Sequence, residues 1–173
     1  MRQRRSQRSS TVIRDAARCA VRTVGLLTSR RLHVRELPRL SEARLPDGRT
    51  FHVFRQSSCD RPTAGQPVTL AVWFRLWAVP PGASVRRFLF ERGCIVNTLL
   101  FAGFDGYLVK LWMVAPATSD YAGLYSWASS EEADRYARYI TTILRPLSTN
   151  DSVGYEVLPD VTLDEYLQRP PAA

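Results

Sequence analysis

Histidine and lysine are nearly absent from this chain, and cysteine motifs and long apolar runs are absent altogether. The 173 residues include only two histidines, His33 and His52, both in the first third. The remainder has no imidazole to ligate haem or a metal ion, or to relay protons near neutral pH. The three cysteines, Cys19, Cys59 and Cys94, form no C-x-x-C pair, so reduced structural thiols are expected rather than a zinc site or a disulfide framework. Asp105, Asp120 and Glu156 are scattered, which argues against a hard-metal site. Gly103-Phe104-Asp105-Gly106 leads into a strand and lacks the third glycine of a nucleotide-binding loop. Neither a metal nor a cofactor is expected. The longest apolar run, Cys94 to Phe104, is short and is interrupted by Asn97 and Thr98, so no membrane-spanning helix is expected. Arg14, Arg18 and Arg22 break up any secretory apolar segment, and the expected location is cytoplasmic.

Of 24 basic residues, Lys110 alone is not arginine. The net charge of +8 is uneven, because residues 1–61 carry 15 arginines against five acids while the rest of the chain is slightly acidic. An arginine bias of this kind follows genome composition and does not by itself argue for phosphate binding. Lys110 stands out as the exception.

Residues 1–61 read as a basic, partly disordered extension. Residues 1–11 have almost nothing to bury. From Val12 to Leu27 the apolar residues Ile13, Ala17, Ala20, Val21, Val24 and Leu27 recur at helical spacing, with Arg14, Arg18 and Arg22 on another face. Such a basic amphipathic helix fits a partner-docked extension or a weak contact with an anionic membrane surface. The nucleic-acid signal is weak, because residues 1–50 lack Phe, Tyr and Trp. An Asp47-Gly48 turn leads into Arg49 to Phe54, read as a hairpin or added strand. The linker from Ser57 to Pro67 then separates this extension from a domain of residues 62–173.

That domain reads as β-α-β-β-α-β. Strands are predicted over Val68–Trp77, Tyr107–Val114, Tyr121–Trp127 and Val153–Leu158, with a turn from Pro116 to Asp120. One helix, capped by Ser84, is predicted over Val85–Phe101, with Val85, Phe88, Leu89, Val96 and Leu99 as its apolar residues. The other opens with a Ser129/Glu132 capping box, buries Ala133, Tyr136, Ala137, Ile140 and Leu144, and ends at Pro146. Thr162 caps a last turn through Leu167. The order implies an α+β, ferredoxin-like sandwich with two helices on one face of a four-stranded antiparallel sheet. Both sheet faces are apolar. The face carrying Trp73 and Trp77 needs a cover, and a second copy closing a dimeric α/β barrel is the simplest one.

The runs Val109-Lys110-Leu111-Trp112, Gly123-Leu124-Tyr125-Ser126-Trp127 and Ser130-Glu131-Glu132-Ala133 with Tyr136 resemble the YdhR-type monooxygenase-like proteins. These belong to the dimeric α/β-barrel superfamily, which includes antibiotic-biosynthesis monooxygenases. The resemblance covers the chain from Pro67 onward and leaves residues 1–61 unexplained. It implies a homodimer and a small, cofactor-independent enzyme acting on an aromatic or polyketide-like substrate through an enolate. In that role Lys110 or Arg75 stabilises the anion, Asn97 or Tyr125 orients the substrate, and Trp73, Trp112 and Trp127 form the walls. Lys110 and Trp112, two apart on one strand, share a face, as do Trp73 and Arg75. An isomerase or cyclase working through the same enolate fits equally, as does a non-catalytic dimeric ligand-binding or assembly protein. In that case the tryptophans are packing and the cations pair with acids.

Overall fold

Period-two alternation sorts the strand residues onto two faces, and the computed structural model, which describes residues 2–45, 48–63, 65–94, 96–115 and 117–168, follows it closely. Six strands form one antiparallel sheet: β1 (Leu32–Arg44), β2 (Thr50–Cys59), β3 (Val68–Arg75), β4 (Tyr107–Ala115), β5 (Asp120–Trp127) and β6 (Gly154–Leu158). Their order across the sheet is β1-β2-β4-β5-β3-β6. The helices are α1 (Arg2–Thr28), α2 (Ser84–Gly93), α3 (Ser130–Leu144) and α4 (Leu163–Gln168), with a 3-10 segment at Val96–Leu100. From β3 onward the chain is βαββαβ, and its strands stand in the interleaved order β4-β5-β3-β6. This is the ferredoxin-like arrangement.

The second long helix, α3, forms as its sequence dictates. The Ser129 hydroxyl accepts from the Glu132 backbone N–H at 3.3 Å and donates to the Glu132 carboxylate at 3.1 Å. Ala133, Tyr136, Ala137, Ile140 and Leu144 are buried along one stripe, against β3 and β6.

The first helix departs from expectation. It stops at Gly93, with Ala83 rather than Ser84 at the N-cap and no side-chain capping bond. Val85, Phe88, Leu89 and Val96 point outward into solvent, while Phe90, Glu91 and Cys94 turn inward. In the last turn of this helix the Glu91 carbonyl accepts from Arg55, a buried arginine of β2, at 3.0 Å. Strand β3 also ends early, which leaves Trp77 in an exposed turn.

Strands β1 and β2, which precede the βαββαβ unit, belong to the same sheet. Strand β2 pairs with β4 throughout its second half, with Ser57 opposite Lys110 and Arg55 opposite Trp112. Ser57 and Tyr107 hydroxyls lie 2.7 Å apart, and Tyr107 also donates to the Ser57 carbonyl at 2.9 Å. Phe51 and Val53 are buried on the far face with Ala71, Leu111, Met113 and Leu124, beneath Val161 and Tyr166 at the C-terminal end. These residues of that face are covered from within the chain. Trp73 lies on it, half-buried, its indole resting on Gly154, where a side chain would not fit. In the hairpin turn Gly48 has φ +82, and Asp47 lies outside the described residues, as does Pro116 of the later turn.

The backbone of α1 runs back to Arg2, further than the apolar spacing requires. Its inner face is Ala16, Cys19, Thr23 and Leu26, not the larger apolar stripe. Gly103 explains the choice. A methyl group there would overlap the Cys19 carbonyl, so the two backbones approach too closely for anything but small side chains. Arg22 pairs with Asp105 at 2.8 Å at the edge of this contact.

A chain of residues 62–173 alone would expose β4 as a sheet edge and lose the Ser57–Tyr107 bonds and the Phe51–Val53 packing. It is expected to aggregate and to unfold in urea without a sharp transition, whereas the full chain unfolds cooperatively. A short chain as stable as the full one would contradict the structural role of β2.

Candidate functional site

Register places the side chains of the site. Lys110 lies opposite Tyr125, and Trp112 lies opposite Gly123, all facing the helices. Because Gly123 has no side chain, the Tyr125 ring can lean over it; a methyl there would come within 2.8 Å of that ring. The Lys110 ammonium nitrogen ends in a cage of rings, 3.5 Å from the Trp112 ring centre, 4.2 Å from Phe101 and 4.9 Å from Tyr125. Only 4% of the residue is exposed. Among the described residues no ion pair or hydrogen bond is made by its Nζ. Burial is the main reason its pKa falls to about 7; a Cys94 thiolate would pull it back up, and Arg55 pushes it further down. The ring faces favour the charged form and act against burial.

Lys110 lines a cleft between the sheet and α2 together with Phe54, Phe90, Cys94, Asn97, Trp112, Tyr121 and Tyr125. Three buried polar atoms of this lining make no hydrogen bond: Asn97 Oδ1, Trp112 Nε1 and the Tyr121 hydroxyl. Each such group costs about 1–3 kcal/mol when left unpaired. A polar ligand atom within reach of any of them would relieve that cost. The free space within the cleft is about 20 Å³, enough for a single water. A larger ligand therefore requires α2 and the Val96–Leu100 segment to move outward.

Burial favours the neutral forms of Cys94 and Tyr125 beside Lys110. Burial pushes the Cys94 thiol up to about 11, against the pull of Lys110 and Arg55. Burial likewise raises Tyr125, whose hydroxyl lies 3.1 Å from that of Tyr136. Tyr125 is thus held by α3 through its oxygen and meets the cleft through its ring.

Four of the seven residues singled out from sequence come together here: Lys110, Asn97, Tyr125 and Trp112. The other three do not line the cleft. Lys110 pairs with Tyr125, and Tyr125 pairs with Leu70, so the even-numbered residues of β3 share the Lys110 face, and Trp73 and Arg75 occupy the other. There Arg75 grips Asp120 through two bonds of 2.7 and 3.0 Å. Burial alone would raise the Asp120 carboxyl, but hydrogen bonds from Arg75 and Thr118 outweigh it and hold the carboxyl below its usual range. Trp127 faces the cleft side but lies deeper, fully buried, its ring centre 4.9 Å from that of Tyr136.

Sequence reasoning missed Phe54 and Arg55, both supplied by β2. The Arg55 guanidinium lies 5.7 Å from the Trp112 ring centre and 3.4 Å from Glu36, and it is buried. An arginine directly after the Phe51 to Phe54 run was the available signal. Tyr121 and Cys94 were also missed, and nothing in their spacing distinguished them from core.

The pKa of Lys110 is about 7 in the folded chain against an ordinary 10.5, so between these values the unfolded chain binds the extra proton. Its contribution to stability therefore rises with pH across that window, and the full penalty applies below it. Lys110→Met is expected to be more stable than the parent near and below neutral pH, with the gap closing toward pH 10.5. Paired urea melts across that range check this; a gap independent of pH would contradict it.

No family model matches the sequence, and no curated protein matches it. Among solved structures, a heme-degrading enzyme from Listeria monocytogenes superposes with a TM-score of 0.46 at 16% identity, covering 65% of this chain and 71% of that one. A ferredoxin fold protein related to antibiotic biosynthesis monooxygenases, also from Listeria monocytogenes, gives 0.44 at 15% identity over 66% of this chain and 67% of its own. A monooxygenase-like protein from Listeria innocua gives the same values.

Proposed function

We propose that this chain is a small cofactor-independent enzyme that acts on an aromatic or polyketide-like substrate through an enolate, with Lys110 at the reacting centre. One observation carries the reading: an amine without a carboxylate partner, caged by rings, sits beside three unpaired buried polar atoms in one cleft. Near neutral pH a large fraction of Lys110 is uncharged, so it can take a proton from the carbon next to a substrate carbonyl. The ammonium so formed then stands beside the enolate in a site with little water, where its charge counts for most. The Trp112 N–H and the Tyr121 hydroxyl can donate to the enolate oxygen, and Asn97 can orient the substrate.

In the oxygenase form, the enolate carbon joins dioxygen and a proton to give a hydroperoxide, which loses water to leave a ketone. No external reductant is consumed. Isomerisation or cyclisation follows if the enolate instead takes a proton or closes on another carbon. The tightness of the cleft favours a second reading, a ligand-binding protein without turnover.

A thermal-shift screen of phenols and 1,3-dicarbonyl compounds identifies ligands, since binding to the folded state raises apparent stability. Oxygen uptake and product mass then measure turnover. Lys110→Met is expected to lower turnover by roughly a hundredfold or more, and Asn97→Ala to weaken binding with the fold intact. If hits bind both variants as they bind the parent and none is turned over, the proposal fails.

A further inference from the structure

The helix α1 carries a surface that the ferredoxin-like domain does not use. Its docked half is Ala16, Cys19, Thr23 and Leu26. The opposite half presents Ile13, Val21, Val24 and Leu27 at 69, 74, 51 and 46% exposure, with Ala17 exposed between them. These residues form one continuous stripe at helical spacing. Arg14 and Arg18 each follow a stripe residue by one position, about 100° further round the helix, so they line one border of it. Neither arginine makes an ion pair among the described residues, and Asp15 is the only acid between residues 1 and 35. No described helix is long and apolar enough to cross a membrane, so α1 can lie on a bilayer but not through one.

We propose that α1 docks along an anionic phospholipid surface, with the Ile13–Leu27 stripe in the headgroup–acyl boundary and Arg14 and Arg18 on lipid phosphates. Three observations favour this occupant. The stripe and its border combine an apolar face with charge of one sign, which is the complement of an anionic bilayer. The close contact of Cys19 with Gly103 and the Arg22–Asp105 pair occupy the other half of the helix, so a partner that must enclose α1 in a groove cannot reach round it, whereas a flat surface can. An antiparallel pairing of α1 with a second copy would set two arginine lines against each other.

Sedimentation of the full chain with vesicles tests the proposal. Binding is expected to vesicles of equal parts phosphatidylglycerol and phosphatidylcholine, not to phosphatidylcholine alone, and to be released by high salt. Arg14→Gln with Arg18→Gln should weaken partition roughly 30-fold. Val21→Glu with Val24→Glu should abolish it. All four positions are exposed, so circular-dichroism melts of both double variants should match the parent. Equal binding to neutral vesicles, or unchanged partition of either variant, would overturn the proposal. So would a vesicle-free dimer that the valine pair abolishes, since the stripe would then belong to a second copy.

Discussion

The pairing of β2 with β4 is the contact on which both the fold and the site depend. With Ser57 opposite Lys110 and Arg55 opposite Trp112, it makes β4 an interior strand, and its central side chains can then be buried on both faces. Without β2, Lys110 would stand on a sheet edge within reach of water and keep its charge cheaply. With β2 in place, Lys110 is enclosed by rings, the Tyr107 hydroxyl is bonded to Ser57, and Phe54 closes one wall of the cleft. The same pairing carries Arg55 inward to donate to the Glu91 carbonyl in the last turn of α2. The hairpin precedes the βαββαβ unit in the chain and extends its sheet beyond β4.

Local signals were legible where one residue type dictates one conformation. The Ser129/Glu132 cap, the α3 stripe and the two-residue period of β3, β4 and β5 all appear as their sequences require. The pairing of Lys110 with Trp112 on one face also followed from that period. What could not be read was which face of a sheet or helix would be covered. The apolar residues of α2 and α1 have helical spacing, but spacing gives a stripe and not its direction. The close backbone approach at Gly103 admits Cys19 and Thr23 in place of Val21 and Val24, and Arg55 anchors α2 by its backbone while Phe88 and Leu89 face out. Trp73 and Arg75 were grouped with Lys110 for the same reason. Alternation fixes faces within a strand, whereas the register between strands, here Lys110 to Tyr125 to Leu70, fixes them across the sheet.

The two cations of the aromatic cluster show why the chain's single lysine stands where it does. Arg55 has partners for its terminal nitrogens in the Glu91 carbonyl at 3.0 Å and the Glu36 carboxylate at 3.4 Å, and it lies over the faces of Phe54 and Trp112. A guanidinium cannot give up its proton in a protein, so it needs such partners wherever it is buried. Lys110 has ring faces but no acceptor bonded to its Nζ among the described residues, and burial brings its pKa to about 7. Only a residue able to lose its charge can occupy that position without the full cost of a buried ion. The other 23 basic residues are arginine, and an arginine at 110 would be both too large for the cage and permanently charged within it. Charge there is thus conditional. It falls as pH rises through about 7, because burial disfavours the ammonium.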